Sequence, residues 1–280
     1  MSKQNIQIND IDNYIPCNET ISKITITGNI TKIMTLEHKN NQCPIQKINK
    51  EEYVLLETGE IKEYEHIENR GQDMTTIRKS VVSLREIINN NFFGGSNELW
   101  VTLTFGKNKI YDPKQLYFIF EKFIKRLRYK YKKEETTFDY IYVPEPHEKG
   151  DWHIHLLLKS NKPIFIANSE LRTVWGQGFV KVNRLKDVDN IGAYVSAYLT
   201  NIKNGEETKK GARLYLYPPN HQLYRCSSGI KKPVSVYIPY EKAKKEVSSD
   251  KLTYSKTLKI MDATTNFNNI VHYEYYNSKR

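Results

Sequence analysis

The sequence predicts an α+β fold, a central antiparallel sheet with helices packed on it, preceded by an N-terminal β/α extension. Three observations carry this. Short runs rich in β-branched and aromatic residues recur between Ile21 and Asn183. Two longer stretches place apolar residues at helical spacing. And the two central strand-like runs are joined by PHEKGD, a loop short enough for an antiparallel hairpin.

The elements follow in order. The first twenty residues are polar and are expected to fray. ISKITITGNITKIM (21–34) alternates β-branched with polar residues and breaks at Gly28-Asn29, and YVLLETGEIKEY (53–64) reads as a hairpin turning at Thr58-Gly59. From Met74 to Asn91, Ile77, Val81, Leu84, Ile87 and Ile88 share one helical face, and Gly94-Gly95-Ser96 closes this section. LWVTLTF (99–105) reads as a buried strand. Asp112-Pro113 opens a helix expected to end near Lys133, with Leu116, Phe120, Phe123, Ile124, Leu127 and Tyr131 facing a sheet. Strands follow at 138–144 and 152–159, then a short helix near 169–175, a strand at 178–183 and a helix from about 188 to 202. Beyond Lys203 the chain turns basic and irregular, and after Glu246 it reads as a polar tail. These shifts divide it into an N-terminal extension (1–96), a core (97–205) and a basic C-terminal extension and tail (206–280).

A chain of 280 residues with 39 % hydrophobic and 12 % aromatic residues buries one large core or two modest ones and is not disordered. No apolar run reaches the length of a membrane span and no leader-like segment opens the chain, so the expectation is a cytoplasmic protein with no membrane partner. Cys17, Cys43 and Cys226 are far apart and odd in number, forming neither a disulfide framework nor a zinc knuckle. The formal net charge of +11, from 43 Lys and Arg against 32 acidic residues, points to a polyanionic partner such as nucleic acid, although a generally Lys-rich surface gives the same sum. No GxxxxGK[ST] phosphate loop is present, so the sequence gives no sign of a fused helicase motor.

The chemistry concentrates in EPHEKGDWHIHLLLKS (145–160). Alternate strand residues share a face, so His153 and His155 project together while Ile154 points away. Antiparallel pairing across the short loop brings Glu145, at the end of one strand, opposite the start of the next. Two imidazoles and a carboxylate with open positions suit a divalent cation: the carboxylate favours Mg²⁺ or Mn²⁺ with phosphate, the histidines zinc or nickel. The alternative is a pair of structural strand histidines. His147, in the turn, reads as a solvent-exposed loop residue rather than a fourth ligand. In DNIGAYVSAYLTNIK, Tyr194 and Tyr198 are four apart on one helical face among Gly192, Ala193, Ser196 and Ala197, which would let the helix lie close against another surface. Core packing is the alternative reading of both rings.

Taken together, LWVTLTF, EPHEKGDWHIHLLL and AYVSAYLTNIK resemble the three ordered motifs of HUH endonucleases, and within them the rolling-circle replication initiator (Rep) proteins of plasmids and phages in Gram-positive bacteria. YVLLETGEIKEY, SLREIINNNF and KKGARLYLYPPN also look like this group. The resemblance implies an RRM-like core in which His153, His155 and Glu145 bind the metal, Mg²⁺ or Mn²⁺, and Tyr194 or Tyr198, or both in turn, is the nucleophile. The family often has a lysine three residues after the tyrosine. Here those positions are Ala197 and Asn201, and Lys203 is the lysine that could reach back. The implied activity is sequence-specific nicking and joining of single-stranded or hairpin origin DNA through a 5′-phosphotyrosine, with a host helicase and polymerase as partners. Tyr215, Tyr217 and Tyr224 are candidates to stack on bases or to pack. Competing readings are an HUH relaxase or transposase, a non-catalytic basic nucleic-acid-binding protein, and a metal-dependent hydrolase that uses water.

Overall fold

The computed structural model describes residues 6–39, 44–185, 189–199, 213–262 and 267–280, with the backbone alone at 197–199. In chain order these form β1 (Ile6–Asp10), β2 (Ile21–Thr27), β3 (Ile30–Leu36), β4 (Ile45–Lys47), β5 (Glu52–Leu55), β6 (Ile61–Glu63), α1 (Met74–Asn91), β7 (Glu98–Leu103), α2 (Pro113–Lys130), β8 (Phe138–Pro146), β9 (Trp152–Ser160), α3 (Asn168–Trp175), β10 (Val180–Arg184), α4 (Ile191–Leu199), β11 (Arg225–Cys226), β12 (Ser235–Pro239), α5 (Tyr240–Glu246), β13 (Lys251–Asp262) and β14 (Phe267–Asn277). The fold is α+β, as the sequence predicts. Two compact units divide it: one comprises 1–25, 32–68 and 235–276, the other 26–31, 69–234 and 277–280.

The second unit is built on a five-stranded sheet in the order β10-β7-β9-β8-β11. β9 pairs antiparallel with both β7 and β8. Because strand residues alternate, the sheet has two distinct faces. One face carries Val101, Leu103, Tyr142, Ile154, Leu156 and Leu158, and α2 and α3 seal it with Leu116, Phe120, Phe123, Leu127, Leu171 and Trp175. The other carries Ile141, Val143 and Leu157, covered by Leu84, Ile87 and Ile88 of α1 and by Ile191 and Val195 of α4. Each such burial contributes roughly 1.5–3 kcal/mol, against about 1 kcal/mol for a hydrogen bond, so the apolar faces decide the packing.

Local signals set the helix ends. Asp73 caps α1 by accepting from Thr76 N (3.0 Å), and Asp112 caps α2 by accepting from Lys114 N (2.8 Å) ahead of Pro113. α2 stops at Lys130, short of the expected Lys133: residues Lys132–Glu134 tighten into a 3-10 turn and Glu135 takes a left-handed conformation (φ 52°). At the start of β7 the buried Glu98 carboxylate accepts from Phe93 N (2.8 Å) and Gly94 N (2.7 Å) and pairs with Lys159 (3.2 Å), fixing the glycine loop.

The first unit corrects two expectations. Residues 6–10 are not frayed: they form β1, an edge strand paired residue for residue with β13. All five of its side chains are exposed, so the pairing rests on the backbone ladder and leaves no apolar pattern to read. The stretch after Glu246 is not a tail either. β13 and β14 lie between β1 and β3 in a six-stranded sheet ordered β1-β13-β14-β3-β2-β12. Many of their buried positions are polar, including Thr257, Asn269, His272 and Glu274: Thr257 bonds His272 and Asn269 bonds the His38 backbone, so hydropathy conceals the strands. The apolar core here is Ile24, Ile33, Tyr240, Ala243, Val247 and Tyr276, under α5. A three-stranded sheet, β4-β5-β6, includes the expected hairpin at Gly59.

Candidate metal centre

The β8–β9 hairpin does what the spacing predicts. Glu145 stands directly opposite His153, and His155 opposite Val143 on one side and Thr102 of β7 on the other. All three candidate ligands therefore leave the sheet from the face covered by α1 and α4. Their atoms converge: His155 Nε2 lies 3.1 Å from Glu145 Oε2, His153 Nε2 lies 3.5 Å from the same oxygen, and the two Nε2 atoms are 3.0 Å apart. The three side chains are only 10–17 % exposed.

The chemistry of this triangle is specific. A carboxylate only accepts hydrogen bonds, and two facing Nε2 atoms hold at most one proton between them. Hydrogen bonds from the imidazoles satisfy this spacing, and so does one cation shared by the three atoms. Ligands at cis positions of an octahedral cation, with metal–ligand distances of about 2.0–2.1 Å, stand about 3.0 Å apart, and tetrahedral ligands about 3.4 Å apart. The observed edges of 3.0, 3.1 and 3.5 Å match one divalent cation bound through three protein atoms. Burial pushes the Glu145 carboxyl up, but the hydrogen bonds and charge of His153 and His155 outweigh it and hold the carboxyl at about 2. Glu145 is thus an anion across the working pH range. Among the described residues, Glu145, His153 and His155 are the cluster of His, Cys, Asp and Glu able to hold a metal ion.

The hairpin is braced from several sides. Trp152 donates from its backbone N to Ile110 O (2.8 Å) and from Nε1 to Tyr111 O (2.9 Å). Tyr217 donates its hydroxyl to Pro144 O (3.0 Å), and Arg213 donates to Pro146 O (3.1 Å). His147 is half-buried, not solvent-exposed: its ring stacks on His153 at 4.1 Å with planes 13° apart, stiffening that ligand without joining the triangle.

α4 carries the two tyrosines and is fixed to α1. Asn190 caps it by accepting from Ala193 N (2.9 Å), and Asn89 of α1 donates to Asn190 Oδ1 (3.0 Å) while accepting from Gly192 N (2.6 Å). Arg85 donates to Ser196 Oγ (2.6 Å). A Cβ at Gly192 would stand 2.3 Å from Arg85 O, so only glycine permits this approach. The small residues around the tyrosines therefore let α4 lie against α1. Tyr194 is half-buried and packs edge-on against Trp100 (5.7 Å, 81°), which lies two residues from Thr102, the partner of His155. His155, Trp100 and Val195 close around one small gap with no room for a water molecule. Tyr198 has its backbone in α4, but its side chain and the whole of Lys203 lie outside the described residues.

The other tyrosines divide. Tyr217 is buried and Tyr224 is half-buried with its hydroxyl 2.9 Å from Ser83 Oγ, so both pack rather than present a free ring face. Tyr215 is 62 % exposed. The sequence did not disclose the brace from Asn89, Arg85 and His147. The recoverable signal was Asn190, a capping residue three positions before Ala193.

Residues 98–203 match the family model of the ORF2-type replication-associated proteins. The matched span opens at the first residue of β7 and contains Glu145, both histidines, α4 and Lys203. No curated protein and no solved structure shows a significant match to the chain. Over this span, somewhat more than a third of the chain, the sequence is similar to replication-associated proteins. No helix among the described residues is long and apolar enough to cross a membrane.

Proposed function

We propose that this protein is a cytoplasmic rolling-circle replication initiator of the HUH class, which nicks and rejoins origin DNA at a metal centre formed by Glu145, His153 and His155. The observation that carries the reading is the convergence of one carboxylate oxygen and two imidazole nitrogens within 3.0–3.5 Å, on the sheet face that α4 covers. The catalytic core in this reading is 97–205, flanked by 1–96 and 206–280.

The donor set fits Mg²⁺ or Mn²⁺, whose Lewis acidity would polarise a non-bridging oxygen of the scissile phosphate. The chain's own residues do the rest. Glu145 and the imidazoles fix where that phosphate sits, and His147 and the Trp152 anchors hold the ligands. A tyrosine of α4, Tyr194 or Tyr198, attacks phosphorus in line. The phenolate oxygen forms the new P–O bond, the bond to the 3′ oxygen breaks, and that oxygen takes a proton and leaves as a 3′-OH. The 5′ phosphate stays on the tyrosine, so the phosphodiester energy is retained and the reaction can be reversed to join strands. Two tyrosines one turn apart would let one hold a 5′ end while the other cuts again. Lys203 is the candidate to stabilise the phenolate. The substrate is single-stranded or hairpin origin DNA, and the free 3′-OH serves a host polymerase assisted by a host helicase.

The test is incubation of the full chain with a labelled single-stranded origin oligonucleotide and Mn²⁺, followed by denaturing electrophoresis. A labelled protein band that survives denaturation is expected, lost in the Tyr194→Phe/Tyr198→Phe double variant. Nicking with no retained protein would instead indicate a water-using hydrolase, and an undiminished band in the double variant would reject the nucleophile assignment.

A further inference from the structure

Away from the metal centre, an open cavity of about 590 Å³ lies at the β11 edge of the five-stranded sheet, where residues 220–226 meet α1 and the 3-10 turn before it. Its polar lining includes Arg70, Thr76, Ser80, His221, Gln222 and Arg225. Two arginines, Arg70 and Arg225, line the cavity, and the compensation of their charge is incomplete. Arg70 has a side chain only 8 % exposed. One of its terminal nitrogens is 3.6 Å from Asp73, but its Nε is buried with no hydrogen-bond partner. Arg225 lies over the Tyr117 ring at 3.7 Å, its Nε is likewise buried and unpartnered, and among the described residues no carboxylate pairs with it. Burial and the two arginines hold His221 down at about 4, so it adds no competing charge at neutral pH. Both Nε atoms are closed off from the cavity, so what an anion entering it would offset is the incompletely compensated positive charge of the two side chains.

We infer that this cavity takes a phosphate of the DNA backbone, outside the nicking centre, and so sets the path of the strand. The assignment rests on the DNA-processing reading above. The shared chemistry is a phosphate group, and two features favour a strand over a free ion. The cavity is larger than a lone phosphate fills. And Tyr215, exposed on the neighbouring 3-10 turn Leu214–Leu216, offers a ring for a base: that turn is tied to Arg70, whose backbone N donates to Tyr217 O (3.0 Å).

The experiment measures binding of a fluorescent single-stranded oligonucleotide to the full chain across a salt series. Arg225→Gln, and Gln222→Glu at an exposed lining position that places a negative charge without touching the core, are each expected to weaken binding several-fold. Each should also flatten the plot of log Kd against log salt by about 0.7 for every phosphate that the variant no longer engages. An unchanged slope in Gln222→Glu, with its thermal midpoint retained, overturns the inference even if Arg225→Gln fails to fold. Inorganic phosphate is the second probe. A phosphate-induced rise in melting temperature that Arg225→Gln abolishes, with the DNA salt slope unchanged, would assign a free-anion site and overturn the strand role. Failure of the wild-type chain to form a covalent adduct would instead sink the nicking reading and leave the salt-slope result standing.

Discussion

Among the described residues, the buried Glu274 and the largely buried Glu145 both keep company with histidine, and they differ in what completes them. Glu274 sits beside His272 (3.7 Å), but Lys244 donates to it at 3.0 Å and the Tyr276 hydroxyl at 2.8 Å, and His272 is itself engaged by Thr257 at 2.7 Å. Its charge is balanced by Lys244 at Oε1, while Oε2 is buried without a hydrogen-bond partner. Glu145 meets two imidazoles, and among the described residues no lysine or arginine pairs with it. Both carboxyls are held at about 2, against the opposing effect of burial. Equal acidity therefore conceals opposite designs. One cluster holds its own cation, Lys244; the other has no lysine or arginine among the described residues and a geometry that fits a divalent cation.

The largest expected contrast is catalytic. Replacing His153 and His155 together by alanine should reduce covalent adduct formation roughly 10³-fold or more, the several kcal/mol a cation contributes to charge stabilisation. Glu274→Gln should leave the adduct yield unchanged, since Lys244 already meets its charge. Equal losses in gel-based adduct assays would erase the distinction.

Next is metal linkage. Mn²⁺ at a hundredfold excess over Kd should raise the stability of the wild-type chain by about 2.7 kcal/mol, read as a rise in melting temperature. The Glu274→Gln variant should respond alike, and the His153→Ala/His155→Ala variant should not. Chelation should abolish both the shift and the adduct.

How much of this was legible follows from where the information lies. The Glu145–His153–His155 triangle was readable because a period of two and a short loop fix which strand residues face each other: Glu145 and His153 had little choice. The α1 stripe was readable because five apolar residues repeat at helical spacing. Glu274 was not, because its partners come from α5 and β14, and a strand whose buried side chains are polar looks like solvent-exposed chain. The same holds for β1, whose contribution is all backbone. The brace on α4 was half-legible. Gly192 and Ser196 announce close approach, but only coordinates show that Asn89 and Arg85 are what approaches.

That brace gives a smaller effect. Gly192→Ala should force α4 away from Arg85 O, costing roughly 1–3 kcal/mol in chemical unfolding. It should lower adduct yield while leaving Mn²⁺ binding intact, because the ligands are on the hairpin rather than on α4.

The smallest effect is the acid limb that Glu274 contributes to stability. A carboxyl near 4.5 in the unfolded chain and about 2 in the folded one means the unfolded state takes up its proton first. The Glu274 contribution is therefore complete above about pH 4.5 and lost progressively toward pH 2. Glu274→Gln should flatten that limb in unfolding measured against pH; a limb of unchanged slope would mean Lys244 and Tyr276 do not hold the carboxylate.

The most direct single measurement is electron paramagnetic resonance of the full chain titrated with Mn²⁺, with nitrogen couplings resolved by electron spin echo modulation. One Mn²⁺ per chain coupled to two imidazole nitrogens is expected, with both couplings lost in the His153→Ala/His155→Ala variant. Stoichiometric binding without nitrogen coupling, or binding that the double variant leaves unchanged, would contradict a cation centre on the β8–β9 hairpin.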